Sequence, residues 1–194
     1  MNLKYGHALD LLSAETDKFD LVATDPPYAF GGSGSEHALS ATVAIVLREC
    51  AARLAKDRWM LVMCASSWRS TSYMVEAVRN VLEPVRIGTW CKPAVQTRVS
   101  TAGWAWASVN VILFRKGRPE TASLSLPDWI EADIVKRGRR AELPAAVADW
   151  VVAPYAFPGG RMLDPFAGSG ALCAAAERCG MQATGYEIIP ENPP

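Results

Sequence analysis

Phe19-Asp20-Leu21-Val22-Ala23-Thr24-Asp25-Pro26-Pro27-Tyr28 decides how the chain is read. Residues 19–24 form an apolar run that reads as a buried strand coming to a stop. Neither proline has an N–H and each fixes φ, so the pair continues neither a sheet ladder nor a helix. The chain must turn sharply there, with an acid on one side and an aromatic ring on the other. In open α/β sheets, ligands bind at the carboxyl ends of strands. A rigid turn in that place holds a hydrogen-bond acceptor beside a stacking face. That pairing suits a planar substrate carrying an amino group, and a nucleobase fits. The plainer alternative is an Asp-Pro turn with a tyrosine packed behind it, and four residues alone do not decide.

A second stretch shifts the balance: Arg161-Met162-Leu163-Asp164-Pro165-Phe166-Ala167-Gly168-Ser169-Gly170, followed by a helical pattern over 171–179. A strand runs into a glycine-bearing turn and then a helix N-terminus. Glycine has no Cβ, so the backbone can approach a nucleotide-like ligand closely. No Gly-Lys-Ser/Thr follows, which excludes a phosphate-binding P-loop. The next strand, 182–186, ends on Glu187. An acid at that tip of a βαβ unit can accept both hydroxyls of a ribose; on its own it would be a solvated strand end.

Working outward, residues 3–6, 59–64, 85–90 and 109–114 read as further strands, and 10–14, 40–55, 70–82 and 143–153 as helices. Pro144 fits the first turn of the last of these. Strands alternating with helices predict an α/β, Rossmann-like fold: a mostly parallel sheet with helices on both faces. Gly31-Gly32-Ser33-Gly34-Ser35, directly after the Pro-Pro turn, reads as a lid or a plain flexible connection. Trp104 and Trp106 read as packing residues rather than base-stacking ones. Residues 118–140 break the rhythm, being polar and proline-spaced.

Hydrophobic residues make up 50% of the 194 and charged ones 21%, which fits one globular core. Lys plus Arg equal Asp plus Glu at 20 each, so no global field draws the protein to a polyanion. The five cysteines form no CxxC pair, so neither a metal site nor a disulfide framework is expected. With no signal peptide and no membrane-length apolar run, the expectation is a cytoplasmic protein that meets no membrane.

Asp25-Pro26-Pro27-Tyr28 together with Asp164–Gly170 and Glu187 resemble the DNA amino-methyltransferases that use S-adenosylmethionine. The motif order, DPPY first and the FxGxG type last, is similar to their β class. The resemblance covers most of the chain as one domain, 1–194. Residues 118–138 fall where such enzymes carry target-recognition sequence. It implies that Asp25, Pro26, Pro27 and Tyr28 form the catalytic turn. Asp25 and the Pro26 carbonyl would receive the target amino group, and Tyr28 would stack on a base extruded from duplex or taken from single-stranded DNA. It implies that Asp164, Pro165, Phe166, Ala167, Gly168, Ser169 and Gly170 line the methionine part of the cofactor, Glu187 its ribose, and His7 its adenine end. Many relatives have an acid at the position of His7, and often Gln-Lys-Pro where Glu142-Leu143-Pro144 stand here. No metal is implied. Adenine N6 is the expected target, because DPPY is commoner than a Ser-first variant among the family's adenine enzymes. Cytosine N4, RNA or another amino or amide substrate, and a non-catalytic cofactor-binding module are the alternatives.

The DNA surface is expected from local basic clusters: Arg115, Lys116 and Arg118 on one side of residues 118–138, Lys136, Arg137, Arg139 and Arg140 on the other, with Arg98 next in line. A solvated loop is the bland reading of both runs. A second copy of the chain, as a homodimer, would supply further contacts.

Overall fold

Alternating burial along the strands builds three layers. In the computed structural model, Leu21 and Ala23 of β2 (Phe19–Thr24) face one layer of helices and Val22 faces the other. The same alternation separates Met60, Val62 and Cys64 from Leu61 and Met63 in β3 (Leu54–Ala65). A strand buried on both faces needs no polar side, which explains the continuous apolar runs. The structure describes residues 1–27, 34–93, 103–104, 107–120, 122, 124–135 and 142–188, without the side chains of 34–40.

The first layer holds α1 (Ala8–Ser13), α2 (Gly34–Arg53) and α3 (Trp68–Val78); the second holds α4 (Ala145–Val152) and α5 (Ala171–Arg178). The remaining strands are β1 (Asn2–Tyr5), β4 (Glu83–Cys91), β5 (Ser108–Lys116), β6 (Trp129–Glu131), β7 (Arg161–Asp164) and β8 (Gln182–Glu187). The eight stand in the order β1-β8-β7-β2-β3-β5-β4-β6. Val22, Met60, Val62 and Leu163 are fully buried, and each such side chain contributes about 1.5–3 kcal/mol.

Among the described strands only β5 runs against its neighbours, pairing antiparallel with both β3 and β4. From β2 the chain moves to β3 on one side; from β7 it moves to β8 on the other. The order therefore reverses between β2 and β7, where an open α/β sheet forms its crevice. Among the described residues, no helix is long and apolar enough to cross a membrane.

Two expectations change. α2 starts at Gly34, so the glycine-rich stretch leads straight into a helix, and 31–33 lie outside the described residues. Residues 118–138 contain part of the sheet itself: β6 pairs with the end of β4, and the indoles of Trp90 and Trp150 donate to the carbonyls of Ala132 and Pro127. Short local length hid this strand, which three residues could not announce.

Gly185 of β8 lets the Asp164–Gly170 turn lie flat on the sheet. A Cβ there would meet Leu3 Cδ2 at 2.6 Å, Ala167 Cβ at 2.7 Å and Cys173 Sγ at 3.1 Å. The Ala167 Cβ is fixed by its backbone and cannot yield. Gly185→Ala should destabilise the fold by about 1–3 kcal/mol. Urea denaturation checks this, and an unchanged midpoint contradicts it.

Candidate active site

Thr24 and Asp164 end β2 and β7, and the two strands are in register beside them through Leu21↔Met162 and Val22↔Leu163. The Thr24 hydroxyl donates to Asp164 Oδ1 at 2.7 Å, and the Phe166 N–H donates to the same oxygen at 3.1 Å. Asp164 is buried, and burial pushes its carboxyl from the usual 3.8 up to about 7. The two hydrogen bonds oppose that rise, while the charges of Asp25 and Glu187 add to it. Three acids from three strand ends thus converge.

Two adjoining clefts open on this edge. One, of about 200 Å³, is lined by Asp25, Glu142, Leu143, Asp164, Phe166, Ala167, Gly168, Ser169, Ala171 and Leu172. The other, of about 340 Å³, takes in Gly6, His7, Pro27, Pro165, Tyr186 and Glu187. Asp25 and Phe166 line both. Among the described residues the two clefts are lined by the carboxylates of Asp25, Glu142, Asp164 and Glu187, whose charge favours a cationic group over a phosphate.

Local structure explains the walls. Gly168 has φ 54°, and an added Cβ would meet only Glu187 Oε2, at 4.0 Å; it would stand in the cleft. Gly170 lines neither cleft. With φ 82° it is the N-cap of α5, where an added Cβ would meet the Met1 sulfur at 2.6 Å. His7 caps α1, its Nδ1 accepting from the Leu9 N–H at 3.3 Å, and its ring borders the larger cleft. The Gly6 N–H bonds to the Glu187 carbonyl at 3.0 Å, tying that wall to the tip of β8. Pro26 is buried and Pro27 exposed. Tyr28 lies outside the described residues.

The structure therefore brings Asp25, Pro27, Asp164, Pro165, Phe166, Ala167, Gly168, Ser169, Glu187 and His7 to one edge. Sequence reading treated Glu142 only as a departure from the family; it adds a carboxylate to the smaller cleft. Thr42 and Val46 of α2 were missed as wall residues, since a helix face carries no site signature. Cys64, within the reach of Asp25's charge, has its thiol raised to about 11 by burial, so it is no activated nucleophile.

The first basic run, Arg115, Lys116 and Arg118, lies away from this edge. Thr24 pairs with Val62, but Lys116 pairs with Arg58, about 13 Å back along β3 toward the strands' amino ends. There Arg115 makes a two-pronged ion pair with Glu83 at 2.8 and 2.9 Å. Lys116 Nζ caps α2 through the carbonyls of Ala51, Ala52 and Leu54. The Arg118 N–H bonds to Asp57. The reversed direction of β5 carried these residues away. Arg98, Lys136, Arg137, Arg139, Arg140 and Trp106 lie outside the described residues. Trp104, expected to pack, is 87% exposed.

The DNA methylase family profile, spanning N6 and N4 enzymes, matches residues 131–192. YubD of Escherichia coli (strain K12), a protein provisionally named a methylase, is 27% identical over 186 residues, covering 88% of this chain and 76% of YubD. Family profile, relative and fold support a DNA amino-methyltransferase. Two solved structures share the fold of this chain. The complex of M1.HpyAVI with S-adenosylmethionine superposes with a TM-score of 0.77 at 17% identity, over 98% of this chain and 94% of its own. The PvuII DNA methyltransferase, cytosine-N4-specific, gives 0.75 at 18% identity, over 97% and 82%.

Asp164 carries a pH signature. Its folded value lies above its ordinary one, so the carboxyl opposes folding wherever it ionises. The cost is absent below about pH 4, grows toward about pH 7 and is constant above that. Asp164→Asn keeps an oxygen for both the Thr24 and Phe166 donors. The variant should gain a few kcal/mol relative to the parent between about pH 4 and about pH 8. Denaturation at several pH values checks it; parallel pH profiles would exclude a buried, titrating Asp164.

Proposed function

We propose that this chain transfers the methyl group of S-adenosylmethionine to the exocyclic amino group of a base in DNA, adenine N6 in preference to cytosine N4. One observation carries the reading: Asp25, at the proline-fixed turn, lines both clefts built by the Asp164–Gly170 turn and Glu187. An amino-group acceptor thus borders a ligand site made of carboxylates. That donor set fits S-adenosylmethionine, whose sulfonium and ammonium are cationic, better than a phosphate-bearing dinucleotide. Glu187 would take the ribose and His7 would border the adenine. Glu142 and Ser169 would meet the methionine end. Residues 1–194 would act as one catalytic domain.

S-adenosylmethionine, when bound, supplies an electrophilic methyl group. The chain's own part is to ready the nucleophile. An amino group conjugated to a ring is a poor nucleophile, since its lone pair is delocalised. Accepting its two hydrogens at the Asp25 carboxylate and the Pro26 carbonyl draws it toward sp³ geometry and stabilises the positive charge that grows on nitrogen. Holding the lone pair in line with the methyl supplies the rest of the acceleration. The nitrogen's surplus proton then leaves to Asp25 or water. No covalent enzyme intermediate is needed, in keeping with a protonated Cys64.

The test is tritiated methyl transfer to unmodified DNA, RNA and protein in parallel, followed by nucleoside analysis of any labelled nucleic acid. Label in N6-methyladenine from DNA supports the proposal. Label in N4-methylcytosine corrects the base, label in RNA or protein the substrate, and no label at all overturns the catalytic reading.

Two variants separate binding from chemistry. Asp25→Ala should keep cofactor affinity within a few-fold while transfer falls by about 10²-fold or more. A fully active variant would remove Asp25 from catalysis. Gly168→Val should lose cofactor binding, because it combines a disfavoured φ with a side chain standing in the cleft. Calorimetry showing parental affinity would displace the cofactor from this turn.

A further inference from the structure

Trp68 and Trp104 are 86% and 87% exposed, the most exposed of the large hydrophobic side chains among the described residues. Single surface apolar residues need no explanation. Their shared position does. Trp68 opens α3, three residues beyond the carboxyl end of β3, and Trp104 lies in the connection from the carboxyl end of β4 to β5. Both therefore belong to the edge that carries Asp25.

The two connections are stitched together at their bases. Ser66 Oγ donates to the Ser108 carbonyl at 3.1 Å and the Ser108 hydroxyl donates to Ser66 Oγ at 2.9 Å, while the Lys92 N–H donates to the Ala107 carbonyl at 2.8 Å and closes the base of the second connection itself. Lys92 Nζ sits 4.9 Å from the centre of the Trp90 ring. Burial lowers its ammonium pKa and the charge of Asp25 opposes that, which places this corner within electrostatic reach of the catalytic turn. Beside Trp68 stands exposed Arg69, and the first turn of α3 contains no acid to repel a phosphate backbone.

We infer that Trp68 and Trp104 stack on the DNA bases left without a partner or neighbour when the target base enters the Asp25 turn. This rests on the function proposed above and extends it to a surface that neither motif includes. An extruded base leaves ring faces bare, and each face takes an indole at no cost in sequence preference. The net charge of the chain is zero, so uncharged stacking adds affinity that no global field supplies.

Affinity for a fluorescein-labelled duplex should be measured by anisotropy at several salt concentrations, and S-adenosylmethionine affinity by calorimetry. The proteins compared are the parent, Trp68→Ala, Trp104→Ala and Trp68→Phe. Each alanine variant should bind DNA about tenfold more weakly, with an unchanged slope of log K against log salt and unchanged cofactor affinity. Trp68→Phe should recover most of the loss. A parent that binds DNA no better than either alanine variant overturns this inference alone. A flattened slope shows phosphate contact in place of stacking and overturns it too. So does sedimentation showing that Trp68→Ala splits a dimer, since the rings would then face a second copy. A parent that binds no DNA at any salt overturns both this inference and the DNA substrate proposed above.

Discussion

The hydrogen bond from Thr24 to the buried Asp164 holds together the two halves on which everything else depends. It joins the ends of β2 and β7, the pair at which strand order reverses, and it spans 140 positions of sequence. Asp164 Oδ1 also receives the Phe166 N–H, so one buried oxygen fixes both the neighbouring strand and the start of the turn that follows its own. A carboxylate this deep is costly unless its lone pairs are used. The structure uses them on the two groups whose relative position defines the crevice.

The charge pattern around that oxygen follows. Asp25, Glu142 and Glu187 stand on the same edge, and the charges of Asp25 and Glu187 both act on Asp164. Like charges at neighbouring strand ends make it harder for any one of them to ionise. The core beneath is over-determined enough to hold them there, with Leu163, Met162, Val22 and Leu21 fully buried on the two strands concerned.

Much of this was legible from residues alone, because the signals were local. Two prolines stop β2 wherever it is placed, and glycines at φ 54° and 82° mark the turn before α5. Pro144 sits where its missing N–H suggests, at the N-cap of α4. What could not be read depended on direction and distance. The apolar run 109–114 looks the same whether its strand runs parallel or antiparallel, and that one bit sends Arg115 and Lys116 to the far edge. Their true partners, Glu83 and the carbonyls closing α2, are 32 to 65 positions away. Exposure of Trp104 and Trp68 was equally hidden, since a tryptophan's sequence context does not say which side of a loop it takes.

The edge formed by β1 and β8 has a consequence for how such chains are compared. β1 pairs in parallel with β8 from Asn2↔Thr184 to Tyr5↔Glu187, so the first strand closes against the last. The segment bearing Asp25 and the segment bearing Asp164 each keep their place in the sheet through strand pairing, not through the order in which they are translated. A chain cut between them, with β8 led back to β1 through the crossover of a dozen or more residues that parallel neighbours require, should keep the same crevice. The chemistry answers to which strand ends are neighbours in space, and order along the polypeptide leaves that unchanged.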